Sequence, residues 1–88
     1  MPLFVVTYTY GDPETRTAAR PRHLAYLRHL HGQGKLREAG PFADQRGGMI
    51  VYDAEDEAAA RALLAADPYN EAGALRDVQV REWNLVLP

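Results

Sequence analysis

The alternation of apolar and polar residues predicts a chain of short strands and two helices. The run Leu3–Tyr10 is β-branched and aromatic throughout and stops at Gly11-Asp12-Pro13. This composition predicts a strand closed by a turn. Both faces of the run are apolar, and a strand of this kind is expected at the centre of a sheet that is covered on both sides.

The first helical segment places an ionisable ring on an apolar face. We predict a helix from about Pro21 to His31, because proline suits the first helical position and Gly32 ends the helix. Residues 14–19 then form a connection with room for one helical turn. His23 falls in the first turn, in the middle of the apolar arc, where the helix N-terminus favours a neutral ring. Aimed at the core, that ring must find a partner or stay neutral, since burying an unpaired charge is costly.

The remaining segments predict three more strands and a second helix, each ended by turn residues or proline. In chain order they are an edge strand Lys35–Ala39, a central strand Met49–Tyr52, a helix from Ala54 to Asp67 capped by Asp53, a compact connection at residues 69–73, and a last strand Val78–Val86.

This element order predicts an α+β, ferredoxin-like βαββαβ fold. Its sheet has four antiparallel strands, and both helices lie on one face. The first and third strands are nevertheless apolar on both faces, and a soluble monomer rarely exposes an apolar patch of that size. We therefore predict a homodimer in which two sheets pack face to face, the arrangement of a dimeric α+β barrel.

The same topology collects the candidate catalytic residues at one end of the sheet. His23 and Asp67 are far apart in sequence but are expected to be close in space, which gives the ring a carboxylate partner. The functional interpretation makes His23 a general base or acid that Asp67 orients. The alternative is a structural hydrogen-bonded pair that ties two helix ends together.

Five further residues at this end are candidate substrate contacts. Arg20 can bind an anionic or phenolate group, although an exposed arginine is as often only solvated. Tyr10 and Tyr69 are candidate pocket walls, with ordinary packing as the alternative. Gly40 and Pro41 begin the loop at the same end.

Composition narrows the function classes. The chain has 88 residues, of which 47% are hydrophobic and 25% charged, with a net charge of -2, so we expect one globular domain without a nucleic-acid-binding face. The absence of cysteine removes thiolate catalysis and cysteine-bound zinc. No membrane span or secretory leader is expected, which makes the cytoplasm the default location.

Cofactor motifs are also missing from the sequence. Gly47-Gly48 precedes a strand and not a helix, so we expect no phosphate-binding loop and no nucleotide cofactor. His29 and His31 point to different helix faces, and no metal site is expected from them. We therefore expect neither a cofactor nor a metal.

Four motifs are distributed over nearly the whole chain. They are Arg20-Pro21-x-His23-Leu24-x-Tyr26-Leu27, Gly34-x-Leu36-x-x-Ala39-Gly40-Pro41, Asp67-Pro68-Tyr69 with Gly73, and Val78-x-Val80 before Trp83. In this order and with these spacings, they resemble the YCII-related family.

The resemblance implies a dimeric α+β barrel protein with an active site built from a histidine and an aspartate, which map onto His23 and Asp67. Most members of the family have no assigned reaction. One branch is a dehydrochlorinase that acts on a chlorinated hydroxyquinol, which makes a lyase-type elimination the nearest precedent. This chain departs from many relatives because residues 41–48 are short and Met49–Tyr52 contains no serine or threonine.

Three functions are therefore compared. The first is a cofactor-independent enzyme that performs proton transfer or elimination with His23. The second is a non-catalytic dimer that binds or senses a small molecule, and the third is a purely structural dimerisation unit. A solvent-open pocket with His23 and Asp67 at its base favours the first two.

Overall fold

Four antiparallel strands and three helices make up residues 2–88, the part of the chain that the computed structural model describes. Their bounds are β1 Leu3–Tyr10, α1 Pro13–Gly32, β2 Leu36–Pro41, β3 Gly47–Asp53, α2 Glu57–Ala65, α3 Pro68–Glu71 and β4 Leu75–Trp83. The strand order is β2-β3-β1-β4, with every neighbouring pair antiparallel. The predicted ferredoxin-like α+β fold is therefore confirmed, and β1 and β3 are the central strands as predicted.

The helix-covered face of the sheet holds the core. Phe4, Val6 and Tyr8 alternate along β1 on this face, and each is at most 4% exposed. Val6 lies between Ile50 on one neighbouring strand and Val80 on the other. Burying an apolar side chain of this size contributes about 1.5–3 kcal/mol. The helices close this core mainly through the buried residues Ala19, Leu30, Ala60 and Leu64.

The first helix begins at Pro13, so the prediction of a start near Pro21 is wrong. Asp12 caps the helix, because its carboxylate accepts hydrogen bonds from the Thr15 N–H at 2.9 Å and the Thr15 hydroxyl at 2.8 Å. Pro21 lies inside the helix, where proline usually costs about 3 kcal/mol. His23 is consequently in the middle of α1, away from the helix N-terminus. No helix within residues 2–88, α1 included, is long and apolar enough to cross a membrane.

The second helix begins after Asp56 and not after Asp53. The Asp56 carboxylate accepts a hydrogen bond from the Ala59 N–H at 2.8 Å and caps the helix. Asp53 instead ends β3, where its N–H donates to the Lys35 carbonyl at 3.0 Å. Asp53 is therefore a strand residue and does not cap α2.

Other boundaries also differ from the prediction. Gly40 and Pro41 were expected to begin a loop, but they belong to β2 and pair with Met49 and Gly48 of β3. The second helix ends at Ala65, two residues before the predicted end.

Residues 68–71 form the short helix α3, although residues 69–73 were predicted to be a connection. The last strand runs from Leu75 to Trp83, three residues earlier than predicted at each end. Its position follows β1, because Tyr10 pairs with Leu75 and Leu3 pairs with Trp83.

The other face of the sheet carries none of the helices of residues 2–88. Met49 is 37% exposed and Trp83 is 45% exposed, although both are large and apolar. Together with Val5, Arg81 and Glu82 they line a shallow depression in this face. We call this surface the open face. The second apolar face that the sequence predicts is therefore present and open to solvent.

Candidate active site

A buried histidine and a buried aspartate meet where α1 passes α3. The Nδ1 atom of His23 is 2.7 Å from Oδ1 of Asp67, and the two residues are 5% and 0% exposed. Asp67 is also the N-cap of α3, since the same oxygen accepts the Tyr69 N–H at 2.8 Å. The other carboxylate oxygen, Oδ2, is buried without a hydrogen-bond partner in residues 2–88. One carboxylate thus starts a helix and orients the imidazole ring.

An aromatic side chain stacks on one face of the imidazole. The Tyr69 ring stacks on the His23 ring, with centroids 3.7 Å apart and planes inclined by 9°. Because the carboxylate accepts at Nδ1, the neutral ring carries its proton there and leaves a lone pair on Nε2. No hydrogen bond within the described chain engages Nε2. This is the arrangement that a general base requires.

A small cavity of about 110 Å³ opens beside His23. All five predicted substrate contacts line it with His23, namely Tyr10, Arg20, Gly40, Pro41 and Tyr69. Asp67 does not reach the cavity wall and lies behind the imidazole. The structure therefore brings the seven candidate residues together, with His23 as the titratable group of the dyad that faces the cavity.

Comparison with known proteins shows the family of the chain. A family model described as the YCII-related domain matches residues 2–84. The chain belongs to the YCII-related family. It is 36% identical over 83 residues to Protein YciI of Escherichia coli O6:H1, covering 83% of this chain and 85% of that protein. It is also 35% identical over 97 residues to an uncharacterized protein of Haemophilus influenzae, covering 96% of this chain and 99% of that protein.

Solved structures with the same fold include two enzymes. A 5-chloro-2-hydroxyhydroquinone dehydrochlorinase from Burkholderia phenoliruptrix AC1100, in complex with 2,5-dihydroxybenzoquinone, matches with a TM-score of 0.76 and 26% identity over 93% of each chain. Muconolactone isomerase matches with a TM-score of 0.66 and 19% identity, covering 94% of this chain and 86% of that one, which shows the fold alone.

A dimeric ferredoxin-like protein of unknown function from Jannaschia sp. CCS1 matches with a TM-score of 0.57 and 17% identity. The match covers 97% of this chain and 100% of that one. This likeness also shows the fold alone. The family and fold predictions are thus confirmed.

This YCII-related chain places two further residues with polar groups, Arg16 and Tyr8, in the cavity wall, and the sequence interpretation missed both. Arg16 lies over the Tyr10 ring, with its guanidinium carbon 3.6 Å from the ring centroid. It was missed because residues 14–19 were expected to be a connection. In the longer helix, Arg16 and Arg20 are four residues apart and share one face. Tyr8 was missed because strand alternation identified it only as a core residue.

Burial and charge set the protonation of the tyrosines in the site. Burial raises the pKa of Tyr8 far above its ordinary value. Burial also raises the pKa of Tyr10, while the Arg16 cation opposes that rise. Tyr52 does not line the cavity, and its pKa is raised by burial first and then by the negative charge of Asp67. All three phenols therefore stay protonated at neutral pH, and those of Tyr8 and Tyr10 can form hydrogen bonds with a ligand.

The charges at the cavity are positive at the mouth and offer no cluster of metal ligands. Arg16 is half-buried, Arg20 is exposed, and neither forms an ion pair with a carboxylate in the part of the chain that the structure describes. No group of three or more histidine, aspartate or glutamate side chains there could hold a metal ion. The cavity thus combines a base, protonated phenols and two guanidinium groups.

Proposed function

We propose that this YCII-related chain is a cofactor-independent enzyme in which His23, oriented by Asp67, transfers a proton during a lyase-type elimination on a small organic molecule. The observation that carries the proposal is the 2.7 Å contact between the buried Asp67 carboxylate and Nδ1 of a histidine that faces a cavity. Only the side of the ring opposite Asp67 is left to meet a ligand.

The chemistry follows from the tautomer. In the diketo tautomer of a hydroxylated ring, Nε2 of neutral His23 takes a proton from a saturated ring carbon beside a carbonyl, and the Asp67 carboxylate stabilises the imidazolium that forms. The electron pair of the broken C–H bond becomes a C=C bond. The bond to a leaving group on the neighbouring carbon breaks, and that group departs with its electron pair. A positioned general base of this kind contributes roughly 10²–10⁴-fold to the rate.

The cavity supports a single-ring, anionic substrate. Its volume of about 110 Å³ is comparable to the roughly 150 Å³ cavity that holds benzene. Tyr10 and Tyr69 offer aromatic walls, and Arg20 supplies positive charge for a phenolate or similar anion. Gly40 and Pro41 add a rim without long side chains. The dehydrochlorinase that shares 26% identity with this chain supports an elimination on a hydroxylated ring.

A homodimer formed through the open face is part of the same proposal. Met49 and Trp83 leave apolar surface exposed there, which a second copy would bury. A likeness to a protein described as dimeric and ferredoxin-like supports the fold that such a dimer uses. We also propose a cytoplasmic location, where a chain without cysteine needs no oxidising compartment to fold.

A non-catalytic dimer that binds a small molecule is the second candidate function. The observation that favours it is the Tyr69 ring, which stacks 3.7 Å from His23 and covers one face of the imidazole. A ligand can then reach the imidazole only at its edge or on the face opposite Tyr69. Such a site binds a planar molecule even where no proton is transferred.

Chloride release from chlorinated hydroxyquinols tests the enzyme proposal. The wild-type chain should release chloride from 5-chloro-2-hydroxyhydroquinone, and His23→Gln should lower the rate by about 10²-fold or more. His29→Gln is the matched control, because His29 is exposed on the same helix and does not line the cavity.

Equal rates for wild type and His23→Gln would contradict the acid–base role. Binding of the compound by calorimetry without any chloride release would instead support the non-catalytic candidate.

A further inference from the structure

A second polar group shares the cavity with His23 and has no role in the proton transfer described above. Tyr8 and Tyr10 lie two residues apart on β1 and both line the cavity. Their rings are 5.6 Å apart and inclined by 62°. Both phenols thus project toward the space where a ligand of His23 would lie.

Gly48 makes room for the Tyr8 hydroxyl. It pairs with Tyr8 across the sheet, and a Cβ atom at position 48 would lie only 2.7 Å from the Tyr8 hydroxyl oxygen. Any side chain there would displace this hydroxyl or be displaced by it. The same Cβ would lie 2.7 Å from the Gly40 carbonyl oxygen, so glycine at this position also allows β2 and β3 to approach.

The Tyr10 hydroxyl stays protonated beside a cation. Arg16 stacks on the ring at 3.6 Å, and its positive charge lowers the pKa of Tyr10 against the effect of burial. The neighbouring Tyr8 hydroxyl lowers the pKa of Tyr10, whereas Tyr10 raises the pKa of Tyr8. Tyr10 is half-buried and lines the cavity, so its O–H can donate to a ligand there.

We infer that Tyr10 is the hydrogen-bond donor that binds the oxyanion of an enolate or phenolate ligand, and that Tyr8 and Arg16 are positioning residues that orient and strengthen this donor. The inference rests on the proposed function and assigns the residue that stabilises the negative charge formed in the reaction. As His23 removes a proton from carbon, negative charge develops on the conjugated oxygen of the ligand. Tyr10 stabilises that charge and keeps its own proton.

Binding of 2,5-dihydroxybenzoquinone, measured by calorimetry, tests the inference. Its ring hydroxyls ionise readily, so it presents oxyanions to the cavity. Tyr10→Phe keeps the ring under Arg16 and removes only the donor, and should weaken binding about 10-fold or more, the size of a hydrogen bond to a charged group. Tyr8→Phe should weaken binding about 2- to 10-fold, because it removes a neutral polar group beside Tyr10 in the cavity wall.

Tyr52→Phe is the matched control, because Tyr52 is 0% exposed and does not line the cavity. Its affinity should equal that of wild type. Hydroquinone, which is neutral, is the control ligand, and its binding should change less than about 3-fold in Tyr10→Phe. Circular dichroism verifies the fold of each variant. If Tyr10→Phe fails to fold, Arg16→Gln serves in its place, and an unchanged affinity there counts against the inference.

The outcomes separate this inference from the proposed function. Equal affinity of Tyr10→Phe and Tyr52→Phe overturns the oxyanion role, while the loss of chloride release in His23→Gln would still support the base. Weakened binding in Tyr10→Phe, together with full activity in His23→Gln, supports the oxyanion role and overturns the base. If the wild-type chain binds no 2,5-dihydroxybenzoquinone, the oxyanion role is overturned, whereas chloride release still decides the proposed function.

Discussion

The two faces of the sheet differ in where they place polar groups. On the helix-covered face, His23 and Asp67 are buried and paired at 2.7 Å. On the open face, the exposed large side chains include Met49 and Trp83, and no comparably buried pair of charges lies there within residues 2–88. Burial away from water strengthens the interaction within a polar pair. An exposed apolar surface can instead be buried by a second protein chain. The proposed reaction therefore belongs to the helix-covered face, and the proposed homodimer interface belongs to the open face.

The largest expected effect comes from removing the buried carboxylate. Asp67→Ala removes the partner of His23 and the cap of α3, and we expect a loss of about 3 kcal/mol of unfolding free energy. Asp56→Ala is the control, because Asp56 caps α2 from an exposed position and should cost only about 1 kcal/mol. Urea denaturation at one protein concentration measures both. Similar losses in the two variants would contradict a special role for the buried pair.

A charge on the open face should disrupt association without unfolding the chain. Met49→Glu would bury a carboxylate between two sheets, which costs several kcal/mol and should weaken a dimer about 100-fold. Ala62→Glu adds the same charge to an exposed position of α2 and should leave the dimer intact. Sedimentation analysis over a range of concentrations compares the two variants. A monomeric wild type, or a dimer that Met49→Glu leaves unaffected, would rule out the open face as the interface.

Two tyrosines on the covered face should respond oppositely to loss of the hydroxyl. Tyr26 donates to the Leu63 carbonyl at 2.6 Å, so Tyr26→Phe should cost about 1 kcal/mol. The buried Tyr52 hydroxyl has no hydrogen-bond partner within the described chain, so Tyr52→Phe should be neutral or slightly stabilising. Thermal and urea unfolding measure the difference. A clear loss in Tyr52→Phe would show that this hydroxyl is bonded in solution.

The smallest expected effect is on acid stability. The Thr15 backbone N–H holds the pKa of the exposed Asp12 carboxyl below its ordinary value. A lowered pKa in the folded state means that Asp12 adds stability above its ordinary pKa, near 3.9, and loses it as pH falls through the lowered value. Asp12→Asn should therefore reduce the difference in urea midpoint between pH 7 and pH 3. An unchanged difference would count against this contribution.

Strand alternation and topology were enough to predict the sheet and the meeting of His23 with Asp67. The apolar faces of Leu3–Tyr10 and Met49–Tyr52 determine which strands are central, and His23 meets Asp67 from the buried side of α1, although it lies in the middle of that helix and not at its end. This works because both signals are non-local patterns that small boundary errors do not change.

The helix boundaries could not be predicted in the same way, because two local signals compete. Asp12-Pro13 and Arg20-Pro21 are both sequences that can start a helix, and packing of the longer helix on the sheet favours the first. A helix that started at Pro21 would exclude Arg16 and would have His23 in its first turn. In the observed helix, Arg16 lies over the Tyr10 ring, and His23 is too far from the N-terminus to be influenced by it.

The tautomer of His23 tests the central claim most directly, because it needs no substrate. In protein with ¹⁵N-labelled histidine, NMR at a pH where the ring is neutral should show the proton on Nδ1 and a bare Nε2, since Asp67 accepts at Nδ1. The Asp67→Asn variant should lose this preference. A proton on Nε2 in the wild-type chain would contradict the account, because the atom that faces the ligand would then be unable to act as a base.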